Sequence, residues 1–290
     1  MRTLLHQQAE SKKPGEPHLG KPSSRGELIL YFVCTYALSL LLLLPVYIPG
    51  ADASIPPWSF LCLVANATPS VVGITFILRT RLCDRKTLLK RSLSFRQIGL
   101  RKLLVIVLLF PLVIGLSYVI NLLVFKSVPG LSGLATLRSN PATIGNLLFI
   151  AFVGPVFEEY GWRGFALEKM QDTQGKFLSS LVVGLLWAVW HLPNPRNVLD
   201  VFSLETALFV VNIVSLSVII SYFYLTTGSS ILAAIIVHAV HNLSKMLIMP
   251  FPVTMQAIYT VILLIASGWI YYLYQNAART KTQPEGAVGE

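Results

Sequence analysis

The feature that most constrains this chain is a succession of apolar stretches, each long enough to cross a lipid bilayer. A spanning helix needs about 20 mostly apolar residues. Such stretches fall at 28–48, 60–78, 103–125, from about 143, 177–192, 204–226, 230–248 and 255–274. Only 12% of residues are charged and 54% are apolar, with a mean hydropathy of +0.66; an average soluble domain carries about 25% charged residues. A chain this apolar lacks the polar surface to coat a globule. Soluble enzymes, disordered chains and disulfide scaffolds are excluded, and the expected fold is all-α: a polytopic integral membrane protein of about eight transmembrane helices.

Net charge is +10, which in a soluble chain would suggest a nucleic-acid partner. Here the placement of the charges carries the information, and no nucleic acid is expected. Five Lys and Arg lie in the N-terminal segment, nine between Arg79 and Lys102, three after Glu159 and two near the C-terminus; only Lys126, Arg138, Arg196 and Lys245 fall on the other side. By the positive-inside rule, nineteen against four places both termini in the cytoplasm, in the plasma membrane. The segment 79–102 serves as a basic topology determinant beside the membrane lipids. The division that follows is a polar tail at 1–27, the first spans and basic loop at 28–142, a core at 143–248, and a last span with a polar tail at 249–290. The polar N-terminal stretch is too long for the charged part of a signal peptide, so the first apolar run is expected to be retained. Cys34, Cys62 and Cys83 are scattered and offer neither a disulfide framework nor metal-binding spacing.

Ionisable residues inside spans are the informative ones, because a charged side chain at the helix centre costs roughly 2.5–3.5 kcal/mol on insertion scales. Three sets occur. In Glu158-Glu159-Tyr-Gly-Trp-Arg163, Glu159 and Arg163 are four apart and share a helix face. Glu158 points elsewhere, free to act as a general base. A helix ending at Glu158 would place acids where they oppose the dipole, so this reading is set aside. The second set is Trp187-Ala-Val-Trp190-His191. The two tryptophans suit an interfacial belt, or Trp187, one turn before His191, walls a site and touches substrate. The third is His238-Ala-Val-His241-Asn242, with His238 and Asn242 one turn apart. At 1.5 Å per residue, Glu158, His191 and His238 lie about 16, 18 and 12 Å from the basic side. One shared site, buried toward the cytoplasm, explains all three.

Carboxylate, imidazoles, carboxamide and guanidinium suit activation of water and stabilisation of an oxyanion, so amide hydrolysis is the natural reaction. Glu158, His191 and His238 equally make a zinc set with an open position, so a Zn2+ cofactor and a metal-free water both fit. Gly130-Leu131-Ser132-Gly133 matches a GxSG serine pattern but lies in a polar loop and reads as a turn. Asp52, Asp84, Asp172 and Asp200 all fall in loops, which removes an intramembrane aspartyl pair.

Taken together, the three motifs resemble the CAAX-protease and bacteriocin-processing (ABI) family, whose pattern is EExxxR, aromatic-xxx-His and HxxxN on successive helices. The stretches GPVFEEYGWRGFAL, GLLWAVWHLP and GSSILAAIIVHAVHN are similar to those of bacterial members, and the resemblance covers roughly 143–245. It implies an intramembrane endopeptidase in which Glu158 and His191 activate water. Glu159 and Arg163 support the site, and His238 and Asn242 bind the oxyanion. Trp187 stands where Phe is common, and His241 is outside the pattern. The implied substrates are membrane-associated proteins or peptide precursors, prenylated or not. Two rivals stand beside this reading. One is a non-proteolytic bacteriocin-immunity or scaffold role of the same fold. The other is a proton-relay transporter, against which the chain shows no internal repeat.

Overall fold

The computed structural model describes residues 25–139, 143–194, 200, 202–248 and 251–282. Among them every regular element is a helix. Helix α1 (Arg25–Leu43) gives way to a 3₁₀ turn, Leu44–Tyr47, at Pro45, which cannot continue the hydrogen-bond ladder. Helix α2 (Trp58–Arg79) follows, with Pro69 inside it. The basic segment, expected as a loop, forms two short helices, α3 (Arg85–Leu93) and α4 (Phe95–Ile98), and its end is already inside α5 (Leu100–Phe125). The reason lies at Asp84, whose carboxylate caps α3 by accepting from the Thr87 backbone N–H at 2.6 Å.

Helix α6 (Ser132–Ser139) opens at the GxSG stretch, so that stretch is not a turn; eight residues are still too few to span. Helix α7 (Thr143–Gly161) does not stop at the glutamates. It passes into a π-helical turn, Trp162–Leu167, and on into α8 (Glu168–Gln174). Asp172 therefore lies in a helix rather than a loop, exposed at its surface. Helices α9 (Lys176–His191), α10 (Leu204–Thr226), α11 (Ile231–Leu247) and α12 (Val253–Thr282) complete the chain.

Among the described residues, five helices are long and apolar enough to cross a membrane: Arg25–Tyr47, Trp58–Arg79, Leu100–Phe125, Leu204–Thr226 and Val253–Asn276. α9 and α11 are apolar but shorter, and two carboxylates dilute α7. The count of eight is thus five clear spans and three that differ from them by length or charge. The polar tails lie mostly outside the described residues, as does Arg196; α1 begins three residues earlier than expected, and α12 continues past Tyr274 to Thr282.

α7 packs against α2 and α11, α11 against α5 and α10, and α10 against α9 and α12. Large apolar side chains on α1, α5 and α12, such as Val33, Leu112 and Ile265, point outward. In water such a face would drive aggregation; in lipid it is the solvated surface. α10 and α11 form the interior. α2 and α7 cross at a point with no room for a side chain: a Cβ on Gly161 would lie 2.1 Å from the Pro69 carbonyl oxygen, and one on Gly73 would lie 2.5 Å from Gly161 Cα. This contact fixes where α7 presents its two glutamates.

Candidate active site

Successive residues on a helix point about 100° apart, and Glu158 and Glu159 diverge accordingly. Glu159 is fully buried and accepts from Arg163 Nη1 at 3.0 Å along its own helix. The same Oε1 lies 2.8 Å from Nδ1 of His238 on α11. One carboxylate oxygen thus ties α7 to α11 through two partners. Glu158 turns toward α9, where the Trp187 indole N–H donates to Oε2 at 2.6 Å.

Trp187 is the hub of the arrangement. Its backbone carbonyl lies 2.8 Å from His191 Nδ1. A carbonyl only accepts, so Nδ1 carries the proton and the neutral ring keeps its lone pair on Nε2. The indole meets both imidazoles edge-on, with centroids 5.5 Å from His191 and 5.0 Å from His238, and the Arg163 guanidinium carbon sits 4.7 Å from its centroid. Both tryptophans of this helix are buried, at 1% and 7% exposure, and Trp190 donates to Ser39 Oγ at 2.8 Å. The belt reading is therefore corrected for both: each indole N–H finds a partner inside the bundle, where a belt residue would face the headgroups.

Asn242 lies beside His241, with His241 Nδ1 3.2 Å from Asn242 Oδ1. The amide oxygen accepts there, which leaves the NH2 group as the donor available to a ligand. His241 itself is packed against Phe110 and Tyr259.

A cavity of about 340 Å³ is lined by Glu158, Trp187, His191, His238, Asn242 and, beyond the expected set, His241, Lys245, Met246, Phe209, Ile213 and Leu216. Glu159 and Arg163 stand behind it. Among the described residues no three His, Cys, Asp or Glu side chains converge as a metal site. Glu158, His191 and His238 share the cavity, but their side chains do not converge on one point as a ligand set must. As arranged, the trio does not fit a zinc ion.

The residues share a level, as expected, but not at the expected end. His191 is the last residue of the 16-residue α9, and Lys245 and Met246 lie in the final turn of α11. The basic helices sit at the other end, where Lys102 donates to the Thr226 carbonyl and Ser230 Oγ to that of Arg91. The site thus lies in the half of the bundle away from the basic segment. α9 is too short for its last residue to lie near its start.

A bundle of apolar helices with carboxylate, imidazole and carboxamide around one cavity defines a membrane protein with a polar site set among its helices. Residues 140–244 match the sequence model of a family described as Type II CAAX prenyl endopeptidase Rce1-like. The chain is also 26% identical over 254 residues to CAAX prenyl protease 2 of Methanococcus maripaludis, an alignment that takes in 84% of this chain and 93% of that protein. The two comparisons point to a membrane peptidase, and the core that carries the motifs is similar to Rce1-like endopeptidases.

Proposed function

We propose that the chain hydrolyses peptide bonds of membrane-associated substrates, prenylated CAAX-type proteins or peptide precursors, with a water activated by Glu158 and His191. The observation that carries this reading is that Glu158, His191, His238 and Asn242 line one cavity, and the name of the relative supports it. Trp187 holds Glu158 Oε2, leaving Oε1 to take a proton from water that His191 Nε2 helps to orient. The hydroxide adds to the scissile carbonyl carbon. The oxyanion that forms accepts from Asn242 Nδ2 and from His238, which donates through Nε2 when both ring nitrogens carry protons; Glu159 balances that charge. Glu158 then passes its proton to the departing amine nitrogen as the C–N bond breaks, giving a carboxylic acid and an amine, between which the acid proton then passes to leave carboxylate and ammonium.

Glu158→Gln preserves shape and removes the base. It is expected to abolish cleavage, seen as peptide termini present in membranes of cells carrying wild type and missing with the variant. Cleavage that survives the substitution would refute the role of Glu158. A phenotype that persists without any such termini would favour the immunity or scaffold role.

Both termini are proposed to lie in the cytoplasm, on the strength of the Lys and Arg distribution. The cavity then sits in the half of the bundle nearer the opposite face. A cysteine at the exposed Ser54, between α1 and α2, should react with a membrane-impermeant thiol reagent in intact cells. Reaction only after permeabilisation would reverse the orientation.

A further inference from the structure

Among the described residues, Lys245 is the only lysine or arginine on the cavity wall. It sits on α11 three residues after Asn242 and seven after His238, spacings that keep all three on one side of the helix. Its ammonium lies 5.5 Å from the Phe251 ring centroid, and it takes part in none of the ion pairs among the described residues. A lysine in a span is costly to insert. One that only snorkelled to the interface would have no need to line the cavity holding Glu158 and His191.

We propose that Lys245 is a specificity-determining residue that receives the free C-terminal carboxylate of the substrate, a few residues beyond the bond that is cut. The inference rests on the peptidase reading given above. A scissile carbonyl held by His238 and Asn242 lies below Lys245 along α11, which rises about 1.5 Å per residue. The interval from His238 to Lys245 is thus about 10 Å, the length of roughly three extended residues at about 3.3–3.6 Å each. The cavity volume is at the low end of the roughly 300–1,000 Å³ of ligand pockets, so it suits a short tail. Phe209, Ile213, Leu216 and Met246 supply apolar walls for the side chains of that tail. In such surroundings an ammonium and a carboxylate attract far more strongly than in water. An acidic side chain of the substrate presents the same chemistry, and the test separates the two sources.

The probe is a fluorogenic S-farnesyl-cysteine peptide with three further residues, made as the free acid, as the C-terminal amide, and as an amide with Glu in the last position. It is assayed with the full chain in proteoliposomes. Wild type is expected to cut the acid roughly ten- to a hundredfold better than the plain amide, the range of a charge-assisted hydrogen bond, with the difference in KM. The Glu-bearing amide should behave as the plain amide. Lys245→Met should reduce cutting of the acid to the amide level while cutting the amide as wild type does, which also shows that the variant is folded. Lys245→Arg should keep the preference. Equal cutting of acid and amide by wild type, or a preference that survives in Lys245→Met, would overturn the proposal. Cutting of the Glu-bearing amide at the level of the acid would overturn the terminal assignment in favour of a side chain. Failure of wild type to cut any of the three would instead count against the peptidase reading, and the role of Lys245 would fall with it.

Discussion

The pairing of Glu159 with Arg163 can be tested by a double-mutant cycle. Both side chains are fully buried, and the bond between them is 3.0 Å long. Bringing both charges in from water costs several kcal/mol per ion, so the intact pair is worth little over an apolar pair of similar size. Removing one partner is different, because it leaves a buried charge uncompensated, at about 3–5 kcal/mol. Arg163→Met should fall at the lower end of that range, near about 3 kcal/mol, because His238 still holds Glu159. Glu159→Gln strands Arg163 and should cost at least as much. The double variant Glu159→Gln/Arg163→Met removes both charges while the new carboxamide can still accept from His238, so it should recover about 2 kcal/mol or more relative to the sum of the singles. The assay is reversible unfolding of the purified chain in mixed micelles with rising SDS, followed by helical circular dichroism. Ordinary interhelical hydrogen bonds in a membrane bundle average only about 0.6 kcal/mol by such cycles. Additive losses, or a cost below about 1 kcal/mol for either single change, would show that the two groups do not form a buried ion pair.

Other perturbations give equally definite outcomes. Gly161→Ala puts a methyl group 2.1 Å from the Pro69 carbonyl oxygen, so the α2–α7 crossing must open; a loss of about 1–3 kcal/mol or more in melting experiments, with activity falling in parallel, is expected, and an unchanged Tm would contradict the contact. His241→Leu removes the bond that holds the Asn242 amide and should lower kcat by roughly 2- to 12-fold, the worth of one hydrogen bond, with little change in KM; unaltered kcat would show that Asn242 is held by other means. The Thr87 backbone N–H holds the Asp84 carboxyl below its usual range. The folded group has the lower pKa, so its support for α3 is present above about pH 3.9, the unfolded value, and is lost as pH falls through the folded one. Amide exchange at Thr87, corrected for intrinsic rate, should therefore rise on acidification, and Asp84→Ala should show that rise already at neutral pH.

The parts of the site legible from sequence are those set by the period of a single helix. Glu159 and Arg163 meet because they are four apart, and Glu158 diverges because it is the neighbour. Depth along each helix also shows that the three motifs share a level. Contacts between helices lie beyond that reasoning. Nothing local to Trp187 shows that its indole N–H reaches Glu158 while its carbonyl fixes the tautomer of His191. By sequence Lys245 counts among the charges beyond the bundle, because a lysine near a span's end normally reaches water; only the packing of α10 and α11 turns it onto the cavity wall. The end of the bundle that holds the site differs from the expected one because depth measured from one side leaves out the lengths of α9 and α11. The helices of the basic segment do leave a signal, since Asp84 followed by residues that favour helix is a capping pattern. The π-helical turn after Gly161 leaves none.

The shortness of α9 has a consequence for the lipid around it. Sixteen residues rise only about 24 Å, against a hydrocarbon thickness of about 30 Å, and Leu185 and Val189 on its outer face are exposed. A helix that cannot reach both interfaces pulls them together, so the bilayer dimples beside His191. Headgroups and water then approach a residue that chain position alone would place deep in oil. Acyl-chain length becomes a control on this protein: thin membranes match α9 as it stands, while thick ones strain it at the turn that carries the imidazole.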